Sequence, residues 1–436
     1  MAAEKLGKRK TITLNNLLMV CFVIWPFFWS IWGVFRFTAS IGSSFSLYTL
    51  WILTALVVVC NRKVRLSLLY IWFIFLGIII AETVFRPGTG IINLSVILCG
   101  AIVCVFMVQR KLDYKILLEC LYIVGITVSI SVILDGAFGL FREGLINLYT
   151  EEYQNVKIRL TATGGILPHT GSAGCYIYFG LASYIAKNRL ENKKWNRLGR
   201  WIILLIFGIA ILAIQKRGFI IDTIVAVTVI AILQIKKEKV GKISVNKLAK
   251  GMVCFVLIMM IMAVLYSKIP LIRDAFDSLM NKFMEEDSTL SGRTDLYELA
   301  FSLYKGHSLT GIGWGMFRHN SLGIFGVSDR TYNVHSVYIQ LLCETGIIGL
   351  GTFLLAAISS LVYGVKKYRK IIRSALYVKE KSILEVGIAV QIFFLAYCAS
   401  GNPLYDYNFC IAYFIGILLT LVPIAKGEKR RCVSAF

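Results

Sequence analysis

The sequence lacks any stretch that reads as a separate soluble domain. It also has few acids to balance its bases: 24 Asp and Glu stand against 47 Lys and Arg, for a formal net charge of +23. There is no CxxC pair and no cysteine between Tyr266 and Ser336, and the 11 cysteines lie mostly in apolar runs or beside basic segments. These absences exclude a disulfide framework and a cysteine-based zinc site. No Walker loop, metal-ligand cluster or Ser–His–Asp set occurs, so the residues ask for neither ATP, nor a metal, nor another cofactor. No small-residue cleavage site follows the first apolar segment, Leu17 to Phe37, and that segment is long enough to span a bilayer. It reads as a membrane span and not as a signal peptide. No internal repeat is evident, which sets aside the inverted-repeat architecture of many transporters.

What is present is apolar. Hydrophobic residues make up 57% of the 436, and mean hydropathy is +0.72. Soluble domains sit nearer 45–50% apolar. Apolar runs near membrane length recur at 17–37, 43–60, 66–85, 91–108, 114–134, 169–186, 200–214, 218–235, 251–267, 346–364, 384–400 and 408–425. The expected fold is therefore an all-α integral membrane protein of about twelve transmembrane helices. Residues 1–436 form one polytopic domain.

Orientation follows from the bases. The N-terminus, Arg62–Arg65, Arg110–Lys115, Lys187–Arg200, Lys236–Lys250, Lys366–Lys381 and the C-terminus hold about 33 of the 47 Lys and Arg. Strict alternation of the spans puts all these segments on one side. By the positive-inside rule that side is the cytoplasm, with both termini inside. The same bias accounts for the net charge without a nucleic-acid partner. Two long loops then face outward. One covers 135–168. The other, 268–345, lies between the ninth and tenth spans and carries short helices.

The second outer loop concentrates the chemistry. It holds His307, His319 and His335, three of the four histidines, together with Arg293, Arg318 and Arg330. Ser288 or Ser291 can cap a helix over Gly292–Lys305. Leu296, Leu299 and Leu303 form its apolar stripe, which leaves Arg293 in the first turn facing a ligand. A second short helix is expected from His335 to Thr345, ended at Gly346 by a left-handed cap. The GIGWG turn presents Trp314 and Phe317 as exposed aromatics, which either stack on sugars or anchor at the membrane interface.

His335 stands where a loop becomes a helix, and histidine transfers protons near neutrality. A plain interfacial polar residue is the other reading. Glu344 lies nine residues on, about 13 Å along a helix, so a capping or substrate-binding role is open to it. Arg217, in the turn QKRGF, either snorkels to end a span or offers a basic site. Asp222 in the following helix needs a partner, and Lys216 or Arg217 is nearest in sequence. Arg159, before Pro168 and His169, is an interfacial anchor at a helix start or a second basic group.

At these residues the sequence resembles the O-antigen polymerase and O-antigen ligase family of bacterial membrane glycosyltransferases. The resemblance runs through Gly292–Arg293, Leu309–Thr310–Gly311–Ile312–Gly313, Asn333–Val334–His335–Ser336 and Leu342–Cys343–Glu344–Thr345–Gly346–Ile347–Ile348–Gly349. Lys216–Arg217–Gly218 resembles the family's Ser-Arg-Gly turn, and Arg159 with Gly164 and Pro168 its arginine-to-proline segment. The spacing from Arg330 to Gly346 resembles a pattern of polymerases. Two departures weigh against a ligase: Ser336 where Asn is frequent, and Lys216 where Ser is common.

The resemblance implies a bacterial cytoplasmic membrane enzyme of polysaccharide biosynthesis, acting for capsule, exopolysaccharide or O-antigen. It would be a metal-independent polymerase joining oligosaccharide repeat units carried on undecaprenyl diphosphate, donor and acceptor alike. A chain-length regulator and a flippase of the same pathway would be its partners. On that reading Arg293, Arg217 and Arg159 hold the diphosphate, because arginine stays charged and binds phosphate oxygens bidentately. His335 takes the acceptor proton. His169, Trp314, Phe317, Arg318, Arg330 and Glu344 complete the substrate groove. A ligase, and a flippase or other transporter, are the alternatives. A transporter should carry its charges at mid-membrane, whereas these cluster at the outer face.

Overall fold

In the computed structural model the described residues are 13–39, 42–61, 69–86, 90–107, 113–159, 163–191, 197–234, 288–325, 331–372 and 377–421, with a few positions between 266 and 280. They are mainly helical, joined by turns and loops, and the described residues hold one isolated antiparallel bridge, between Phe35 and Tyr149. In chain order the helices are α1 (Leu14–Trp32), α2 (Arg36–Ala39), α3 (Gly42–Cys60), α4 (Tyr70–Phe85), α5 (Ile91–Met107), α6 (Tyr114–Phe138), α7 (Glu151–Arg159), α8 (Thr170–Glu191), α9 (Arg197–Ala213) and α10 (Arg217–Gln234). After a gap in the description come α11 (Ser288–Lys305), α12 (Met316–Asn320), α13 (Val337–Ile371), α14 (Val378–Ser400) and α15 (Tyr407–Thr420).

Each apolar run named from the sequence coincides with a helix, except 251–267, which lies outside the described residues. Four of the helices, α1, α6, α13 and α14, are long and apolar enough to cross a membrane, and shorter apolar helices accompany them. The chain is a helical membrane protein. In α15 every residue from Asn408 to Thr420 is buried. A helix apolar all round belongs at the centre of a bundle, and α15 packs against α1, α5, α13 and α14.

The loops at one end of the bundle are pinned. Asp135, buried near the end of α6, accepts from the amides of Phe141 and Arg142 at 2.7 and 2.8 Å and from the Thr163 hydroxyl. The Thr150 amide donates to the Val34 carbonyl at 3.0 Å, and Arg36 Nε to the Tyr149 carbonyl at 3.1 Å. These bonds tie α7 to the end of α1.

The expected helix of the second loop begins at Ser288, a turn earlier than the capping signals suggested, so Arg293 stands in its second turn. Its apolar stripe packs as expected. Leu296 is buried with Ala300, Phe317, Val334 and Cys343, and Leu299 and Leu303 lie against them.

The glycines of the two motif runs meet each other. The amides of Ile312 and Gly313 donate to the carbonyls of Cys343 and Glu344, at 3.0 and 2.9 Å. Those of Ile347 and Ile348 donate back to Ser308 and Leu309, at 3.0 and 3.3 Å. The 308–313 loop is thus laced onto a break in α13, where Gly346 has φ 63° and ψ −168°. That conformation is essentially confined to glycine. The open carbonyls and amides of the broken helix are satisfied by the loop, as buried backbone requires. The helix begins at Val337 and is interrupted at Gly346, where the expected left-handed cap is replaced by a positive φ with extended ψ, and it resumes at once towards Ile371.

Candidate active site

A cavity of about 640 Å³ opens at the loop-bearing end of the bundle. Its wall comes from the ends of α1, α3, α5 and α8, from α7, from the turn between α9 and α10, from the 333–335 segment, and from the polar turn that leads into α15. Lys216, His335, Asp406 and His169 are the ionisable groups of that wall other than its tyrosines. Arg293 lies close enough to act electrostatically on Lys216, His335 and Tyr397. Residues distant in sequence therefore converge at one place.

The backbone aims these groups. His335 has φ 62°, a left-handed conformation that non-glycine residues rarely hold. It persists because both flanks are fixed. The Val334 amide donates to Gln340 Oε1 at 3.3 Å, and Ser336 caps α13 with its hydroxyl. The Val337 amide donates to the Gly401 carbonyl at 3.1 Å, which docks this junction on the turn carrying Asp406. Gln215, immediately before Lys216, also has a positive φ, of 55°. Two left-handed non-glycine positions thus sit at or beside the two chemistry-bearing groups.

His335 faces the cavity and keeps an exposed edge. The protein packed around its ring, then the charges of Arg293 and Lys216, push its pKa down to about 4. It is a neutral imidazole at physiological pH. Lys216 is half-buried at the mouth, with Nζ 5.6 Å from the centre of the Phe219 ring. Desolvation lowers its pKa to about 8, Arg293 works in the same direction, and Asp406 opposes them. Burial raises the pKa of Asp406, whose carboxylate accepts from the Asn408 amide at 2.8 Å and caps α15. Cations grouped with few acids suit an anionic ligand.

The other residues singled out from sequence are placed as follows. His169 lines the cavity, its ring 6.0 Å from that of Tyr153. The side chains of Arg159 and Arg217 and the whole of Arg330 lie outside the described residues. Arg318 is exposed and donates to Thr331 Oγ1 at 3.1 Å, away from the cavity wall. Asp222 is buried in α10, and its Oδ2 has no hydrogen-bond partner among the described residues. Of its two expected partners, Lys216 interacts with Asp406, and the Arg217 side chain lies outside the described residues.

The expectation of exposed aromatics at Trp314 and Phe317 is corrected: both are 0% exposed. Trp314 Nε1 donates to the Gly90 carbonyl at 2.8 Å, and its ring stacks on Tyr405 at 4.9 Å. Glu344 is also 0% exposed. It accepts from the Tyr405 hydroxyl at 2.6 Å, from Gln340 Nε2 at 3.1 Å and from the Phe317 amide at 3.3 Å. The laced loop covers these side chains. Trp314 and Glu344 stand one layer behind the wall and hold Tyr405, which lines it. Sequence reasoning passed over Asp406, Tyr397, Tyr407 and Tyr153, which also line the wall. For Asp406 and Tyr407 the signal was a polar turn, GNPLYDYN, between the last two apolar runs; Tyr153 and Tyr397 had none.

Residues 202–354 match the family described as O-antigen ligase. The match covers about a third of the chain and contains Lys216, Arg217, Arg293 and His335. The match concerns this segment alone and is consistent with the resemblance of its motifs to the O-antigen polymerase and ligase family. No curated protein matches the chain.

Proposed function

We propose that this protein is a polysaccharide repeat-unit polymerase working at the outer face of the bacterial cytoplasmic membrane. Its substrates are oligosaccharides carried on undecaprenyl diphosphate. The observation that carries the reading is that Lys216 and His335 line one roomy cavity, with Arg293 near enough to act electrostatically on both. A lipid diphosphate at the membrane surface needs cations at the height of its headgroup, and the glycan needs space beyond.

The chemistry is one substitution. The acceptor sugar hydroxyl attacks the anomeric carbon of the donor, and the bond from that carbon to the diphosphate oxygen breaks. The diphosphate leaves with the electron pair, held by Arg293 and Lys216, with Arg217 next to Lys216 in sequence. Fixed cations in a partly dry site stabilise charge as it develops. His335 takes the hydroxyl proton. The products are a longer lipid-linked glycan and undecaprenyl diphosphate.

In the empty cavity the two cations weaken His335 as a base. A bound diphosphate offsets their charge, so substrate binding itself strengthens the base. A base whose pKa nears the working pH is the more effective one.

A ligase that moves a finished glycan to a terminal acceptor is the second reading, favoured by the description of the matching family. Deleting the gene separates them. A polymerase deletion leaves single repeat units on lipid or surface and no long chains. A ligase deletion leaves long chains on undecaprenyl diphosphate, and a flippase deletion traps units on the inner leaflet. Long lipid-linked chains in the deletion strain contradict the polymerase reading.

A further inference from the structure

The cavity wall has two unlike parts. One part carries Lys216, His335 and Asp406, with Arg293 nearby. Another is aromatic: Trp25 and Trp29 from α1, Tyr153 from α7, His169 at the start of α8, and Tyr407 at the start of α15. The rings are grouped. Trp25 meets Tyr407 edge-on at 6.0 Å and Trp29 at 6.5 Å, and Tyr153 meets His169 edge-on at 6.0 Å. Tyr153 also lies close enough to influence Tyr407 electrostatically. Neutral hydrogen-bonding groups stand among them. The Ser30 hydroxyl donates to Asn408 Oδ1 at 2.9 Å and lies 3.1 Å from the Tyr407 hydroxyl, and Asn408 Nδ2 donates to Ser172 Oγ at 3.2 Å.

Aromatic faces beside hydroxyl and amide groups fit a sugar ring, whose C–H face packs on an aromatic ring while its hydroxyls find polar partners. The groups that suit diphosphate, Lys216 and His335 in the wall and Arg293 near them, fall within the family match. Trp25, Trp29, Tyr153, His169 and Tyr407 all fall outside it.

We infer that this aromatic sector is a glycan subsite that holds a sugar residue of the oligosaccharide, and that Tyr153 on α7 is its main platform. The inference rests on the proposed glycosyl transfer and adds which part of the cavity reads the sugar. The hydrogen bonds of Thr150 and Tyr149 anchor the chain just before α7 to the segment after α1, three residues ahead of Tyr153, which lines the cavity. The cationic part serves any lipid diphosphate, and the aromatic sector selects the glycan.

The test uses the full-length protein in membranes of its own deletion strain. p-Benzoylphenylalanine replaces Tyr153, Asn333 or Phe138 in turn, and after illumination the adducts are analysed for sugar by mass spectrometry. Asn333 lines the cavity beside His335, while Phe138 is 77% exposed at the end of α6. Sugar-bearing adducts are expected at 153 and 333 and not at 138. In parallel, Tyr153→Phe should keep polymer output within about twofold of wild type, and Tyr153→Ala should reduce it about tenfold, the range of one aromatic contact. Sugar captured at 333 and none at 153, with Tyr153→Ala at full output, overturns the subsite and leaves the glycosyl-transfer reading standing. No sugar at either cavity position overturns both.

Discussion

His335 is held in a backbone conformation that costs energy. A non-glycine residue held at φ 62° is disfavoured by roughly 1–3 kcal/mol, and such strain collects where geometry matters to chemistry. The sequence showed a titratable residue at a loop-to-helix junction. It did not show the strain, which arises from Gln340 and Ser336 fixing the flanks. Nor did it show Asp406 or Tyr153, because their nearness to His335 depends on helices far apart in the chain. The residue roles give definite expectations. His335→Ala should lower polymer output by roughly 10²–10⁴-fold, the usual worth of a general base. Arg293→Ala should lower it by roughly 10²–10³-fold, and Arg293→Lys, which keeps charge but loses the bidentate fork, should restore only part. His307→Ala and His319→Ala should be mild, since neither lines the cavity. The pH profile follows from the two shifted groups. Below about 4 His335 is protonated and no longer accepts a proton; above about 8 Lys216 loses the charge that holds the leaving group. Activity per unit substrate at low concentration should therefore rise through the first value and fall through the second. A fall centred near 6.5 on the acid side would mean an unperturbed histidine and a different environment for His335.

At the scale of elements, the apolar runs were legible because spanning length and hydropathy leave few alternatives to a helix. The stripe of Leu296, Leu299 and Leu303 was legible for the same kind of reason, a 3.6-residue period. The pairing of the two glycine runs was not, since periodicity carries no information on which loop crosses which helix. That pairing buried Trp314 and Phe317, which the sequence offered as exposed. It also gives the motif glycines a physical role. A Cβ on Gly346 would stand 2.2 Å from the Leu309 carbonyl oxygen, and one on Gly311 2.3 Å from the Glu344 carbonyl carbon. Gly351, in the same helix, has open space around it. Gly346→Ala should lower the thermal unfolding midpoint of the detergent-solubilised protein and its level in the membrane. Strain alone contributes roughly 1–3 kcal/mol, and the clash adds to it. Gly351→Ala should be close to neutral. Equal midpoints for the two variants would mean that the laced loop is not a structural element of the folded protein.

For the molecule as a whole, the proposal that the cavity faces outward rests on the asymmetry of Lys and Arg. Asn320 is exposed at the cavity end, and Lys370 is exposed at the far end of α13. In a background free of native cysteines, Asn320→Cys should react with an impermeant thiol reagent in intact cells, and Lys370→Cys should react only after lysis. The reverse pattern would turn the molecule over. The charge bias was readable because insertion acts on local sequence; the cavity was not, because it exists only once the helix ends have converged. Its proposed work is tested most directly with the purified protein and the lipid-linked oligosaccharide that the deletion strain accumulates, with no other acceptor present. The account expects lipid-linked chains of two and more repeat units together with released undecaprenyl diphosphate, and neither product from His335→Ala. Unchanged single repeat units, or elongation by His335→Ala at the wild-type rate, would contradict it.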